Sequence, residues 1–277
     1  MVELYKKVED LKEYFNFDIY ADIYDKTRNV SKSFQSIFSL IFKKAGIIKN
    51  SRSIILEVGS GTGIVIDFLS KSKKFFPKYI GIDISLGMLK KIKQKYQQDK
   101  LDLLIADAYS LPFKENIFDL ALMVRTIHIL SRWRDALKEV KQSLKNRNLL
   151  VIITGGPGTK IFNECPSNDK YIILRKEFGY PIFYYGADWS YVPDFIQKEL
   201  NGHNIEILRG THIVIKNLKN SINEFENQLM TWHTQVPKKI HDNIIEQLKK
   251  FILEKYGSIN IEEEQLVHFI IGFIKFN

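Results

Sequence analysis

The chain predicts an α/β fold in which a mostly parallel sheet carries helices on both faces, and three observations predict it. Strand-like apolar runs alternate with helix-like segments between residues 53 and 154. The first run closes in a turn of three alternating glycines, ILEVGSGTG at 55–63. Glu57, Asp83 and Asp107 fall at or beside the ends of the first three runs, on the edge of an open sheet where ligands sit. The 277 residues are 45% hydrophobic, enough to bury a sizeable core, and read as one domain with elaborations.

Taken in order, residues 1–50 form an expected helical arm in which Phe34, Ile37, Phe38 and Ile41 make an apolar stripe closed by Gly46. Residues 51–155 hold five expected strands, near 53–58, 78–83, 101–106, 118–124 and 148–154. Between them, Met88, Leu89, Ile92 and Tyr96 form the core face of one helix, and Trp133, Leu137, Val140 and Leu144 that of another. Ser85 and Ser131 are the expected caps of these two helices. Residues 156–202 read as an insertion: 156–190 is irregular and aromatic, and a short helix follows near 191–200. Residues 203–277 close the fold with a strand near 204–216, helices near 219–231 and 237–256, and a strand near 265–275. That last run is apolar on both alternating faces, as an interior strand would be.

Charge and cysteine usage narrow the function classes. The net charge of +9 opens the possibility of a nucleic-acid or anionic surface, but Lys90, Lys91, Lys93 and Lys95 sit together as the solvated face of a helix. Cys165 is the only cysteine, which excludes an internal disulfide, a thiolate metal cluster and paired-thiol redox chemistry. No metal is expected. The longest uncharged apolar runs, such as 149–153 and 269–274, fall far short of the roughly 20 residues of a membrane-spanning helix. The first residues, MVELYKKVEDLKEYF, lack the apolar centre of a secretory signal, so a cytoplasmic location is expected.

The glycine turn specifies the ligand more closely. Bare backbone between a strand and a helix lets a ligand approach, and the helix start offers unpaired N–H groups. A dinucleotide turn needs a glycine where Ile64 stands, and no Lys-Ser or Lys-Thr pair closes the loop as a phosphate-gripping turn requires. Glu57 would repel a pyrophosphate and attract a ligand carrying an ammonium and a sulfonium. Asp83, which ends the second strand, is placed to accept both ribose hydroxyls of an adenosine, and Asp107 is placed to hold an adenine amino group. The ordinary alternative for both is a loop acid capping the next helix.

The ordered set YADIYDKTR (20–28), ILEVGSGTG (55–63), GIDIS with Met88 and Leu89 (81–89), ADAYSLPF (106–113), FDLALMVRTIHIL (118–130) and ALKEVKQSLK (136–145) resembles the class I S-adenosylmethionine-dependent methyltransferases. Within them it is most similar to the group that holds the ubiquinone, menaquinone and many small-molecule enzymes. The resemblance implies a Rossmann-like seven-stranded sheet of order 3-2-1-4-5-7-6 with the last strand antiparallel. It also implies that Gly59, Ser60, Gly61, Thr62 and Gly63 line the methionine half of S-adenosylmethionine, with Glu57 at the base of the loop. Asp83 would bind the ribose, Ile84 and Met88 would flank the adenine, and Asp107 with Ala108 would meet its amino edge. Val124 and Arg125 would approach the methionyl carboxylate, and Tyr24 and Arg28 would close over the site. Where the family often has a Pro-Gly-Gly turn, this chain has Lys145-Asn146-Arg147-Asn148, and beyond Thr154 the resemblance is slight.

The function implied is methyl transfer by in-line displacement to a small or lipophilic acceptor; the aromatic insertion stands where this architecture places a substrate lid, the alternative being that Trp232 and the aromatics of 178–191 belong to the core. His128 is the first candidate base, with Tyr24 behind it; the alternative for His128 is a packed or capping histidine. Two other functions compete, an RNA methyltransferase and a cofactor-binding protein without transfer activity. Against the RNA reading, Val124-Arg125-Thr126-Ile127-His128 replaces the acidic or Asn residue with Pro-Pro-aromatic of base-amine enzymes, and Cys165 precedes rather than follows Pro166.

Overall fold

The structure, a computed structural model, describes residues 17–27, 32–47, 52–71, 77–96, 100–155, 165–182, 186–228 and 236–276. The described helices are α1 Phe17–Thr27, α2 Lys32–Lys44, α3 Ile64–Ser70, α4 Leu86–Lys95, α5 Trp133–Ser143, α6 Pro166–Glu177, α7 Val192–Glu199, α8 Leu218–Glu226 and α9 Lys238–Tyr256. The strands are β1 Ile54–Val58, β2 Lys78–Asp83, β3 Leu101–Ile105, β4 Phe118–Val124, β5 Leu144–Gly155, β6 Gly202–Asn217 and β7 Glu262–Phe276. These elements sort into two compact units, one from the described residues of 28–163, 184–214 and 266–277, the other from those of 1–27, 164–183 and 215–265.

The larger unit is built on a seven-stranded sheet of order β3-β2-β1-β4-β5-β7-β6, the order implied by the resemblance. Neighbouring strands from β3 to β5 run parallel, and β7 runs antiparallel to β5 with Thr154 opposite Ile270. Alternate residues of the interior strands point to opposite faces, so each strand serves two cores. One face buries Leu56, Ala121, Met123 and Ile152 under α5 and α7, where Trp133 meets Phe195 edge to face at 5.2 Å. The other buries Ile55, Leu122 and Val151 under α2, α3 and α4. Each such Leu, Ile or Val contributes roughly 1.5–3 kcal/mol by leaving water.

The expected stripe on the N-terminal arm is present at Ile37, Phe38 and Ile41 of α2, and Gly46 follows the helix at φ 69. Ser85 caps α4 by accepting from the Met88 N–H at 3.1 Å. Ser131 does not cap α5. Arg132 holds that position without a side-chain bond, and the Ser131 hydroxyl lies 3.5 Å from the Tyr109 hydroxyl instead. The segment Lys145-Asn146-Arg147-Asn148 bulges out of the sheet between the pairs Phe118–Leu144 and Leu120–Leu149, with Arg147 at φ 64.

The 156–190 segment is less irregular than its sequence reads, because Pro166 opens a 12-residue helix, α6. A proline at the first helical position gives up an N–H that has no partner there in any case. Phe162, Phe183, Tyr184 and Tyr185 lie outside the described residues. The smaller unit packs Tyr171 and Leu174 of α6 with Leu218, Ile222 and Phe225 of α8 and Ile244, Leu248 and Ile252 of α9. Tyr171 stacks on Phe225 at 4.5 Å. The second helix ends at Gly257, φ 71, close to its expected stop, whereas α8 stops at Glu226, short of the expected 231. Among the described residues no helix is long and apolar enough to cross a membrane.

Candidate active site

The loop after β1 is held by its own backbone. Gly59 and Ser60 both donate N–H to the Ile82 carbonyl at 2.9 Å, which turns the chain across the end of β2. The three glycines then divide the work. A Cβ on Gly59 would lie 2.5 Å from Thr126, so this glycine makes room for the residue two beyond β4. One on Gly63 would lie 3.1 Å from Ile92 of α4. Gly61, at φ 53, has nothing within 4 Å where its Cβ would be, and it alone presents bare backbone to open space. Gly59 and Gly63 therefore also have a packing reason to be glycine, which Gly61 lacks. The helix that follows has only seven residues, so the field of a long helix start is not available here either.

Asp83 at the end of β2 ties this loop down. Its Oδ2 accepts from the Gly61 N–H at 2.8 Å and its Oδ1 from the Ser85 N–H at 2.9 Å. Beside it Ile84 is 53% exposed, and at the end of β3 Ile105 is 59% exposed, while Met88 is 1% exposed and belongs to the interior. Asp107 is exposed, accepting from the Tyr109 N–H at 2.9 Å in a local turn, with Ala108 half-buried behind it.

Glu57 is fully buried on β1, and its Oε2 accepts the hydroxyl of Tyr79 on β2. Its Oε1 has no partner among the described residues, and neither does the buried Oγ of Ser60. Burial pushes the Glu57 carboxyl up to about 8, the Tyr79 hydrogen bond holds it down, and the charge of Asp83 raises it further. Burial thus favours the neutral form of this carboxyl, against the negative charge that the sequence argument gives Glu57. Burial also drives the Tyr79 hydroxyl well above its ordinary value, with the Glu57 charge next.

Next along the edge, Val124 is buried at the end of β4, and Arg125, at φ 57, donates its N–H to the Ile153 carbonyl at 2.7 Å. The Thr126 hydroxyl lies 3.1 Å from the Val124 carbonyl and 3.4 Å from that of Gly59, joining the two halves of the site. His128 sits half-buried on the turn Ile127–Ile129 with its ring Nδ1 inside the protein. The end of the insertion lies directly on this turn. Gly186 donates to the His128 carbonyl at 3.1 Å and Ala187 to the Ile127 carbonyl at 3.0 Å. A Cβ on Gly186 would fall 2.3 Å from the His128 carbonyl carbon, so only glycine fits. Tyr24 lies on α1 in the smaller unit, edge to face with Phe17 at 6.4 Å, and Arg28 lies outside the described residues.

Residues 56–152 match the methyltransferase domain family. Among curated relatives, a malonyl-[acyl-carrier protein] O-methyltransferase of Priestia megaterium is 31% identical over 157 residues, 56% of this chain and 55% of that protein. A demethylmenaquinone methyltransferase of Staphylococcus saprophyticus is 27% identical over 173 residues, 60% of this chain and 71% of that protein. The chain therefore spans about half the length of the first of these relatives. A phosphoethanolamine N-methyltransferase 2 of Haemonchus contortus, solved with phosphomonomethylethanolamine and S-adenosylhomocysteine, shares the fold with a TM-score of 0.53 at 17% identity. That likeness covers 97% of this chain and 59% of that one.

Proposed function

On the premise that residues 56–152 form a class I S-adenosylmethionine-dependent methyltransferase domain, we propose that the chain as a whole transfers a methyl group from that cofactor to a small or lipophilic acceptor. One observation carries the reading. Beside a loop whose Gly61 faces open space, two buried polar atoms, Glu57 Oε1 and Ser60 Oγ, have no partner among the described residues. Buried polar atoms in a folded protein are nearly always paired, so a pair of orphans at a strand end fits a ligand with polar groups of its own.

When bound, S-adenosylmethionine supplies a methyl group activated by positively charged sulfur. The chain's part is to orient it and exclude water. Asp83, fixed by Gly61 and Ser85, offers its outward lone pairs to the ribose hydroxyls. Exposed Ile84 and Ile105 offer apolar surface to the adenine, Asp107 with Ala108 meets its amino edge, and Val124 with Arg125 lies toward the carboxylate. Such positioning can lower a barrier by roughly 7–11 kcal/mol. His128 is the group proposed to take a proton from the acceptor, under the strap formed by Gly186 and Ala187. Relatives named for a malonyl carrier and for demethylmenaquinone support an acceptor with an acyl or quinone body.

The test is transfer from S-adenosylmethionine labelled in its methyl group to a panel of quinols, phenols, amines, acyl-thioester carboxylates and RNA. Label on a small or lipophilic member supports the proposal. Label on RNA alone, or on nothing while the cofactor binds, overturns it.

A further inference from the structure

A carboxyl group that is fully buried, has one hydrogen bond and faces no fixed cation is held neutral by the cost of burying a charge. Glu57 is in that position: Oε2 accepts from Tyr79, Oε1 is an orphan, and the nearby Asp83 is an anion stabilised by two backbone N–H groups. Among the described residues, several titratable groups on elements packed around β1 have partners of their own. Asp67 of α3 accepts from Lys71 at 2.7 Å and from the Tyr96 hydroxyl at 3.0 Å. Lys95 of α4 reaches the Thr62 carbonyl at 3.4 Å, Lys44 of α2 pairs with Glu206, and Asp119 of β4 pairs with Lys145 at 2.7 Å. Arg125 is half-buried beyond the end of β4.

We infer that Tyr79 and Glu57 form a proton-holding pair that ionises when S-adenosylmethionine binds, so that cofactor binding releases a proton to solvent and Tyr79 acts as a positioning residue. The inference rests on the cofactor reading above. The ligand's ammonium and sulfonium bring to the buried carboxyl a positive charge that its neighbours among the described residues, Tyr79 and Asp83, do not supply. The O–H bond of Glu57 breaks, the proton passes to water, and Tyr79 keeps donating to Oε2, which holds the carboxyl in place on β1.

The sign follows from linkage. Burial pushes the Glu57 carboxyl up to about 8, and a bound cation moves it down. Affinity therefore rises with pH below that point, by up to about tenfold per pH unit, and levels off above it.

The experiment is calorimetric titration with S-adenosylmethionine at pH 7 in two buffers of different ionisation enthalpy, for wild type and Glu57→Gln. Subtracting the variant removes the ligand's own α-amino group, which titrates in the same range. Wild type should release close to one proton more than Glu57→Gln. Tyr79→Phe should remain folded and shift the rising limb of affinity to higher pH, because the donor that holds the carboxyl down is gone. Methylthioadenosine, which has neither ammonium nor sulfonium, should bind without releasing a proton. Equal proton counts for wild type and Glu57→Gln, or an unshifted Tyr79→Phe profile, overturn the inference and leave the cofactor reading standing. No binding of S-adenosylmethionine by wild type overturns both.

Discussion

Glu57 in the larger unit and Glu263 in the smaller are both withdrawn from water, yet their oxygens are satisfied in opposite ways. Glu263 accepts from Cys165 and Ser167 at 2.6 Å on Oε2 and from the Tyr256 hydroxyl at 2.7 Å on Oε1. Among the described residues Glu57 accepts only from Tyr79. A carboxyl saturated by its own chain spends its capacity on stability; one left half-satisfied keeps capacity for a ligand. The Cys165 thiol belongs to the first kind, since burial and then the Glu263 hydrogen bond push it up to about 11 and keep it unreactive.

The sharpest way to break the comparison is to remove each carboxyl. Glu263→Ala takes the acceptor from two buried donors, Cys165 and Ser167, and from the half-buried Tyr256 hydroxyl, and should cost the smaller unit about 3–5 kcal/mol in a denaturant melt. Glu57→Gln keeps shape and most bonding, and should change stability by less than about 1 kcal/mol while weakening cofactor binding at least tenfold. Equal stability losses would dissolve the distinction. Next come the glycines. Gly59→Ala drives a methyl group against Thr126 and should cost about 2–3 kcal/mol, partly recovered in the double variant with Thr126→Ala. Gly61→Ala should cost only about 1 kcal/mol of stability, from its left-handed backbone, but should lose more cofactor affinity than that figure implies.

A smaller effect is set by pH in the smaller unit. His241 is buried between the Phe225 carbonyl, 2.7 Å from Nε2, and the Tyr171 hydroxyl, 3.1 Å from Nδ1, which fits a neutral ring donating through Nε2. Burial lowers its pKa below the ordinary 6.5. The unfolded chain then binds the proton more readily, so stability is complete above pH 6.5 and falls as pH drops through the folded value, by at most about 1.4 kcal/mol per unit. Melts between pH 7.5 and pH 5 should show this slope in wild type, and His241→Asn should flatten it. Smallest of all, Ser85→Ala should cost about 1 kcal/mol through its lost cap, and Ser131→Ala almost nothing, since Ser131 caps no helix.

Much of the larger unit was legible because its signals are local. Alternating runs, the Gly59–Gly63 turn and the acid of Asp83 each announce themselves within a few residues, and the family resemblance supplied the strand order. The site's internal chemistry was not legible, because it depends on contacts across strands. Tyr79 reads as an ordinary buried aromatic of β2 until the parallel register sets it opposite Ile55, on the same side of the sheet as Glu57. Thr126 explains Gly59 only once β1 and β4 are seen as neighbours. In the smaller unit, α6 was missed because Cys165 makes no side-chain cap bond and the apolar positions do not form one clear stripe.

The central claim is that the Gly59–Gly63 loop, tied to Asp83, holds the methyl donor. Asp83→Asn tests it most directly, because it turns one acceptor oxygen into a donor facing the Gly61 or Ser85 N–H. In equilibrium titration with S-adenosylmethionine, wild type should bind one molecule per chain and Asp83→Asn should bind at least tenfold more weakly, a loss of about 1.4 kcal/mol or more. Equal affinity in the folded variant, or no binding by wild type, would contradict the account.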